Sequence, residues 1–158
     1  ADIIYVFTHI LKHFFRGGIG IRQICDWCRL MWIYKDQIDI ELLDNRLNKI
    51  KLLTEWKAFA ALAVNELGYP VEHMLLYSNE AKWERKSSRI LSFILKTGNF
   101  GHNRDTRYYQ RYPYLITKVI SFYWRFSDNL RYFVIFPADS FKVFYWLFRH
   151  GLKNLRRA

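Results

Sequence analysis

The chain has 158 residues, 51% of them hydrophobic and 19% aromatic, which supplies enough apolar material for a packed domain and excludes a disordered tail. Two cysteines are too few for a disulfide framework, so a reducing, cytoplasmic setting is expected. The net charge of +11 favours an anionic partner, and it sits at the back: residues 1–80 hold 9 Lys/Arg and 10 Asp/Glu, residues 81–158 hold 16 and 4.

The chain opens at Ala1 straight onto a helical pattern without a leader, which reads as a domain cut from a larger polypeptide. Ile3, Val6, Phe7, Ile10, Leu11 and Phe14 recur at three- and four-residue spacings, predicting a helix over 3–15 with one apolar face. Gly17 and Gly18 stop it. A second helix is expected from residue 19 or 20 to about Tyr34, with Ile21, Ile24, Cys25, Cys28, Leu30 and Met31 inside and Arg22, Asp26 and Arg29 on another face. The two form an antiparallel hairpin.

Asp39 is suited to cap a third helix over about 40–50, because its side-chain oxygen can satisfy a free amide of the first turn. Thr54 is expected to open a fourth that ends at Leu67-Gly68, with Pro70 beyond. A helical turn over 72–77 and a fifth helix over 79–96, ended by Gly98, come next. Residues 98–111, rich in Gly, Asn, Arg and Tyr, read as a loop. Two long helices, about 112–136 and 140–156, close the chain, with Pro137 and Ala138 in the bend. The expectation is an all-α single domain: a bundle of about six to seven helices opening with the hairpin, organised as a bundle over 1–97, the loop over 98–111 and a basic aromatic hairpin over 112–158.

His9, Lys12 and His13 stand at i, i+3 and i+4 and can share one helix face, and Arg22 and Asp26 are one turn apart across the glycines. Together they are candidates for holding phosphate oxygens by charge-assisted hydrogen bonds. The alternative is a solvated polar face with an intrahelical Arg22–Asp26 pair. A secondary anion site is offered by His102, Arg104 and Arg107, beside Tyr108 and Tyr109, in the glycine loop, against the alternative of a packed connector.

His9-x3-His13 and Cys25-x2-Cys28 have spacings a zinc site tolerates. Mid-helix cysteines beside Ile24 and Trp27 read more readily as small buried hydrophobes, and no resident metal is expected. A thioredoxin-type use of the cysteines fails for the same reason, since that thiolate needs a helix N-terminus. The last two helices carry narrow polar stripes, Lys118, Ser121, Arg125 and Asp128 in one and Lys142, Arg149, Lys153 and Arg156 in the other. Their remaining surface is apolar, which suits either burial in the core or against a partner, or peripheral contact with an anionic membrane at its inner face. No run approaches the ~20 apolar residues needed to span a bilayer.

The stretch HILKHFF followed by GIGIRQICDW resembles the helical segment of the bacterial nucleotidyltransferase family found beside polysaccharide and capsule genes, and the likeness runs more weakly through LGYPVEHM and GNFGHN. What the resemblance implies is nucleotidyl transfer by the parent protein, with magnesium held by the carboxylates of a Gly-Ser turn and an Asp-x-Asp strand. Gly-Ser does not occur here, and Asp39-Ile40-Glu41, the nearest carboxylate pair, reads as a helix start. By this resemblance the chain is the C-terminal helical part, without catalytic residues. Its partner is then a catalytic domain preceding it, which would bring the magnesium and the nucleoside triphosphate. His9, His13, Arg22 and Asp26 are supporting residues in that reading. The competing class is a basic binding module for an anionic membrane or for nucleic acid, the latter weakened by the lack of any recognition motif.

Overall fold

A computed structural model describes residues 3–98, 107–142, 144 and 145. The described residues contain seven α-helices and no strand: α1 (Ile3–Arg16), α2 (Ile21–Tyr34), α3 (Ile40–Lys49), α4 (Leu53–Ala61), α5 (Ala81–Thr97), α6 (Tyr108–Arg111) and α7 (Tyr114–Ile135). Residues 137–142 are helical as well. The chain divides into two compact units, 1–103 and 104–158.

In the first unit, α1 ends where the amides of Gly17 and Gly18 both bond the His13 carbonyl, at 3.0 and 3.1 Å. Gly18 has φ +99°, which side-chain-bearing residues rarely adopt, and a Cβ there would lie 2.9 Å from Thr97 Oγ1 and 3.1 Å from the Gly98 carbonyl. The hairpin turn therefore presses on the end of α5. Gln23 Oε1 accepts from the Gly20 amide at 2.6 Å and so fixes the start of α2. Phe7 and Trp27, ten residues before and ten after Gly17, meet with ring centroids 5.1 Å apart, so α2 runs back along α1.

An aromatic cluster fills the core. Phe7 also meets Trp56 and Phe59, Trp27 meets Trp56, and Phe14 meets Phe59 and Phe93, mostly edge to face at 4.8–5.7 Å. Five of these six rings are wholly buried and Phe93 nearly so. α4 is the central helix. Trp56, Phe59 and the alanines 58, 60, 61 and 63 all have no exposed surface, because small residues let neighbouring helices approach from several sides. Trp56 Nε1 donates to the Leu75 carbonyl at 2.8 Å, tying the chain after α4 back to the core.

Asp39 caps α3 as expected, its Oδ1 accepting from the Leu42 amide at 2.9 Å. Three expectations change. α4 begins at Leu53, with Leu52 rather than Thr54 at its N-cap, because the Leu52 carbonyl already accepts from Trp56. The helix also does not run unbroken to Leu67: after Ala61 it widens into a π turn over Leu62–Glu66, with the Leu67 amide reaching back five residues to Leu62. Cys25, expected inside, is exposed, since the buried stripe of α2 runs through Ile24, Trp27, Cys28 and Met31.

In the second unit, Pro113 separates α6 from α7, so the helix expected to begin near Tyr112 starts at Tyr114. Asp128, read from the sequence as part of an outward polar stripe, is buried and lies 3.6 Å from Arg131. Asn129 and Ser140 are buried too: Ser140 Oγ donates to Asn129 Oδ1 at 2.9 Å and Asn129 Nδ2 donates to the Ser140 carbonyl at 3.2 Å. The Asn129–Ser140 pair ties α7 to the helical residues 137–142, which begin at Pro137, inside the expected bend; most of the helix expected over 140–156 lies outside the described residues.

Candidate functional site

The buried stripe of α1, from Ile3 through Phe7, Ile10, Leu11 and Phe14, turns the intervening residues outward. Tyr5, His9 and Lys12 are exposed and His13 is half-buried. His9 and His13 face each other with 3.0 Å between their Nε2 atoms, so in a hydrogen bond one imidazole donates and the other accepts. Tyr5 stacks on His9 with the rings 26° apart. Burial, and then the charges of His9, Lys12 and Arg16, hold His13 below the usual histidine range. Near neutral pH this face thus has two fixed cations, Lys12 and Arg16, flanking a pair of imidazoles of which at least one is neutral.

Arg22 and Asp26 lie on α2, both exposed. Among the described residues neither takes part in an ion pair, with the other or with α1. The structure therefore brings His9 and His13 into contact with Lys12 alongside, and leaves Arg22 and Asp26 as separate solvent-facing charges.

The cysteines do not complete a metal centre. Among the described residues no group of three or more His, Cys, Asp or Glu side chains converges as metal ligands. Burial, and then Cys25, push the Cys28 thiol up to about 12, which leaves it inert as a nucleophile. Asp39, as the α3 cap, is spent on structure, in keeping with the reading of Asp39-Ile40-Glu41 as a helix start. Of the secondary candidates, His102 and Arg104 lie outside the described residues, and Arg107 is exposed just ahead of α6.

Three features were not singled out in the sequence. Glu55 on α4 is buried, and its charge acts on the half-buried Lys86 of α5; a lone carboxylate in an otherwise alanine-rich and aromatic helix was the available signal. His73, on a short turn over Val71–His73, meets Trp32 at 4.2 Å and bonds Lys35 Nζ through Nδ1 at 3.2 Å. Tyr69 OH donates to the Cys28 carbonyl at 3.0 Å. The last two fasten the 69–73 segment to α2, a structural task.

α7 presents an unusual surface. Leu115, Val119, Phe122, Phe126, Leu130 and Phe133, spaced by three or four residues, form one stripe and are between 40% and 71% exposed. The opposite face, with Thr117, Asp128, Tyr132 and Ile135, is the buried one. Lys118 and Arg125, both exposed, line one edge of the apolar stripe. Among the described residues no helix is long and apolar enough to cross a membrane.

A protein family described as an uncharacterised nucleotidyltransferase matches residues 1–68. The match covers α1 through the π turn after α4 and relates this part of the chain to nucleotidyltransferases; the α1–α2 hairpin lies wholly inside it. No curated protein and no solved structure matches the chain.

Proposed function

We propose that this chain is an accessory helical part of a nucleotidyltransferase, inactive alone, whose outward α1 face of His9, Lys12 and His13 supports the phosphates of a nucleotide, with Arg22 and Asp26 of α2 as further supporting groups. The observation that carries it is the coincidence of the family match over 1–68 with the polar hairpin face. Lys12 and Arg16 supply positive charge, and an imidazole donor beside them can add a hydrogen bond to a phosphate oxygen. The sequence lacks the Gly-Ser and Asp-x-Asp carboxylate set that would hold magnesium, so catalysis is assigned to a preceding domain of the same polypeptide. The bacterial, polysaccharide-linked setting rests on the resemblance of the hairpin sequence alone.

Two measurements test this reading. The gene that encodes the chain is expected to specify, upstream of Ala1, a Gly-Ser turn followed by Asp-x-Asp; an unrelated upstream sequence overturns the parentage. In titrations of the chain with a nucleoside triphosphate, Lys12→Ala is expected to weaken binding several-fold and to flatten its salt dependence. Turnover by the chain alone refutes the accessory role.

The exposed apolar stripe of α7 favours a second reading for the back of the chain: peripheral contact with an anionic membrane surface. Phe122, Phe126 and Phe133 would sit at the acyl boundary while Lys118 and Arg125 reach the headgroups. Co-sedimentation with vesicles containing anionic lipid, lost on Phe122→Asp with Phe133→Asp, is the expected result. No binding at low salt removes this reading.

A further inference from the structure

We propose that His9 and His13 form a surface chelate for a divalent transition-metal ion that accepts two nitrogen donors at a right angle, Cu2+ first and Ni2+ next. The ring geometry supports this site whether or not the face also meets a nucleotide. Metal–imidazole bonds are about 2.0–2.1 Å long, so two of them at a right angle hold their nitrogens about 2.9 Å apart, whereas a tetrahedral angle holds them about 3.3–3.4 Å apart. The two Nε2 atoms stand 3.0 Å apart, close to the right-angle spacing. Square-planar and tetragonal centres of Cu2+ and Ni2+ use such an angle, while zinc prefers the tetrahedral one.

The pair is built for it in two further respects. The residues are one turn apart on a 14-residue helix packed against the core through Phe7, Ile10, Leu11 and Phe14, so the ligand spacing is set by a fixed backbone. The pair is also solvent-accessible, His9 being exposed with the Tyr5 ring 6.5 Å away, one turn before it. A metal ion must displace the proton shared between the two rings. That proton can move to Nδ1 of the same ring, which leaves both Nε2 lone pairs free for the ion. The positive charges of Lys12 and Arg16 weaken the site, and affinity order then selects Cu2+ over the other first-row ions. Two protein ligands leave the remaining positions to water, so the bound ion is exchangeable.

The test uses the full chain carrying Cys25→Ser, because the exposed Cys25 thiol can itself take or reduce Cu2+. Cu2+ is titrated and followed by electron paramagnetic resonance. The expected result is one ion per chain at the tightest site, with superhyperfine splitting from two nitrogen donors. His9→Gln and His13→Gln should each lower affinity at least tenfold and convert the pattern to a single nitrogen, while His73→Gln leaves both unchanged. His9 is exposed, so Gln fits there without disturbing the core. Survival of the tight site in either His9→Gln or His13→Gln, or a single-nitrogen spectrum in the parent chain, overturns the proposal.

Discussion

The contact between the hairpin turn and the end of α5 can be measured, because the protein contains its own control. Gly18 and Gly68 both have positive φ, +99° and +71°. A Cβ at Gly68 would meet nothing within 4 Å, whereas one at Gly18 would lie 2.9 Å from Thr97 Oγ1 and 3.1 Å from the Gly98 carbonyl. Gly68→Ala therefore incurs only the backbone cost of a left-handed alanine, about 1–2 kcal/mol. Gly18→Ala incurs a similar cost plus overpacking against Thr97 and a backbone carbonyl that cannot rotate away, about 1–3 kcal/mol more. A total of roughly 2–5 kcal/mol is a large share of the ~5–15 kcal/mol that typically holds a domain together. Urea unfolding followed by circular dichroism, with the slope checked for constancy, gives both values. Thr97→Ala loses the bond from its hydroxyl to the Phe93 carbonyl, 2.9 Å long, at about 0.5–1.5 kcal/mol in the parent chain. In the Gly18→Ala background the same change removes the nearest clash, so its cost should shrink or reverse sign. Equal costs for Gly18→Ala and Gly68→Ala, or strict additivity with Thr97→Ala, would refute the close approach of turn and helix.

Trp27 and Trp56 make a matched pair of buried indoles, since Trp56 Nε1 bonds the Leu75 carbonyl and Trp27 Nε1 has no partner among the described residues. Trp56→Phe should cost about 1–3 kcal/mol more than Trp27→Phe in urea unfolding, because it strands a buried carbonyl; equal losses would contradict the assigned bond. A thiol reagent should label one cysteine, Cys25, in the native chain and two after denaturation, because the Cys28 thiol is buried and pushed up to about 12. The His13 ring should titrate below the ordinary histidine range by NMR. Since the folded value is depressed, the unfolded chain binds more protons in that window, and stability should fall as pH drops through about 6.5 toward the folded value. His13→Gln should flatten that fall, and an unchanged pH profile in the variant would assign it to other groups.

Much of the first unit was legible because its signals are local. Gly17-Gly18 stop a helix whatever surrounds them, Asp39 caps with its own side chain, and the four-residue spacing of His9 and His13 on one helix is enough to bring the rings together. The misreadings share a cause, which is dependence on neighbours distant in sequence. Cys25 sits beside Ile24 and follows the apolar rhythm loosely, and only the placement of Trp27 in the aromatic core fixes the helix phase that turns Cys25 outward. The π turn at Leu62–Glu66 has no composition of its own. Its widening coincides with side-chain bonds to other segments, Asn65 Oδ1 from Tyr77 OH at 3.0 Å and Glu66 Oε1 from Ser88 Oγ at 2.7 Å. Of the supporting residues, the contact of the two histidines was readable, whereas the separation of Arg22 from Asp26 was not. An i, i+4 pair of opposite charge permits an ion pair, but exposed pairs gain little in water and need not form.

α7 is where pattern reading reverses, and the reversal carries information. A helix in water is expected to bury its apolar stripe, yet here Asp128, Asn129 and Thr117 are buried while Val119, Phe122 and Phe133 are more than half exposed. Burying a side chain such as Phe or Leu is worth about 1.5–3 kcal/mol, so leaving the stripe open forgoes a sum comparable to the stability of a small domain. The buried polar groups have specific partners, Asp128 with Arg131 one turn on in the same helix and Asn129 with Ser140, and only the second pair ties α7 to another segment, the helical residues 137–142. That contact is made while the apolar stripe is left over. A leftover of this size is normally covered by something. Lys118 and Arg125 along its edge, in a half-chain carrying 16 Lys/Arg against 4 Asp/Glu, favour a cover that is apolar beneath and anionic at its rim. The exposed stripe thus belongs to the second compact unit, 104–158, which carries 11 Lys/Arg against 3 Asp/Glu, while the stretch related to nucleotidyltransferases belongs to the first.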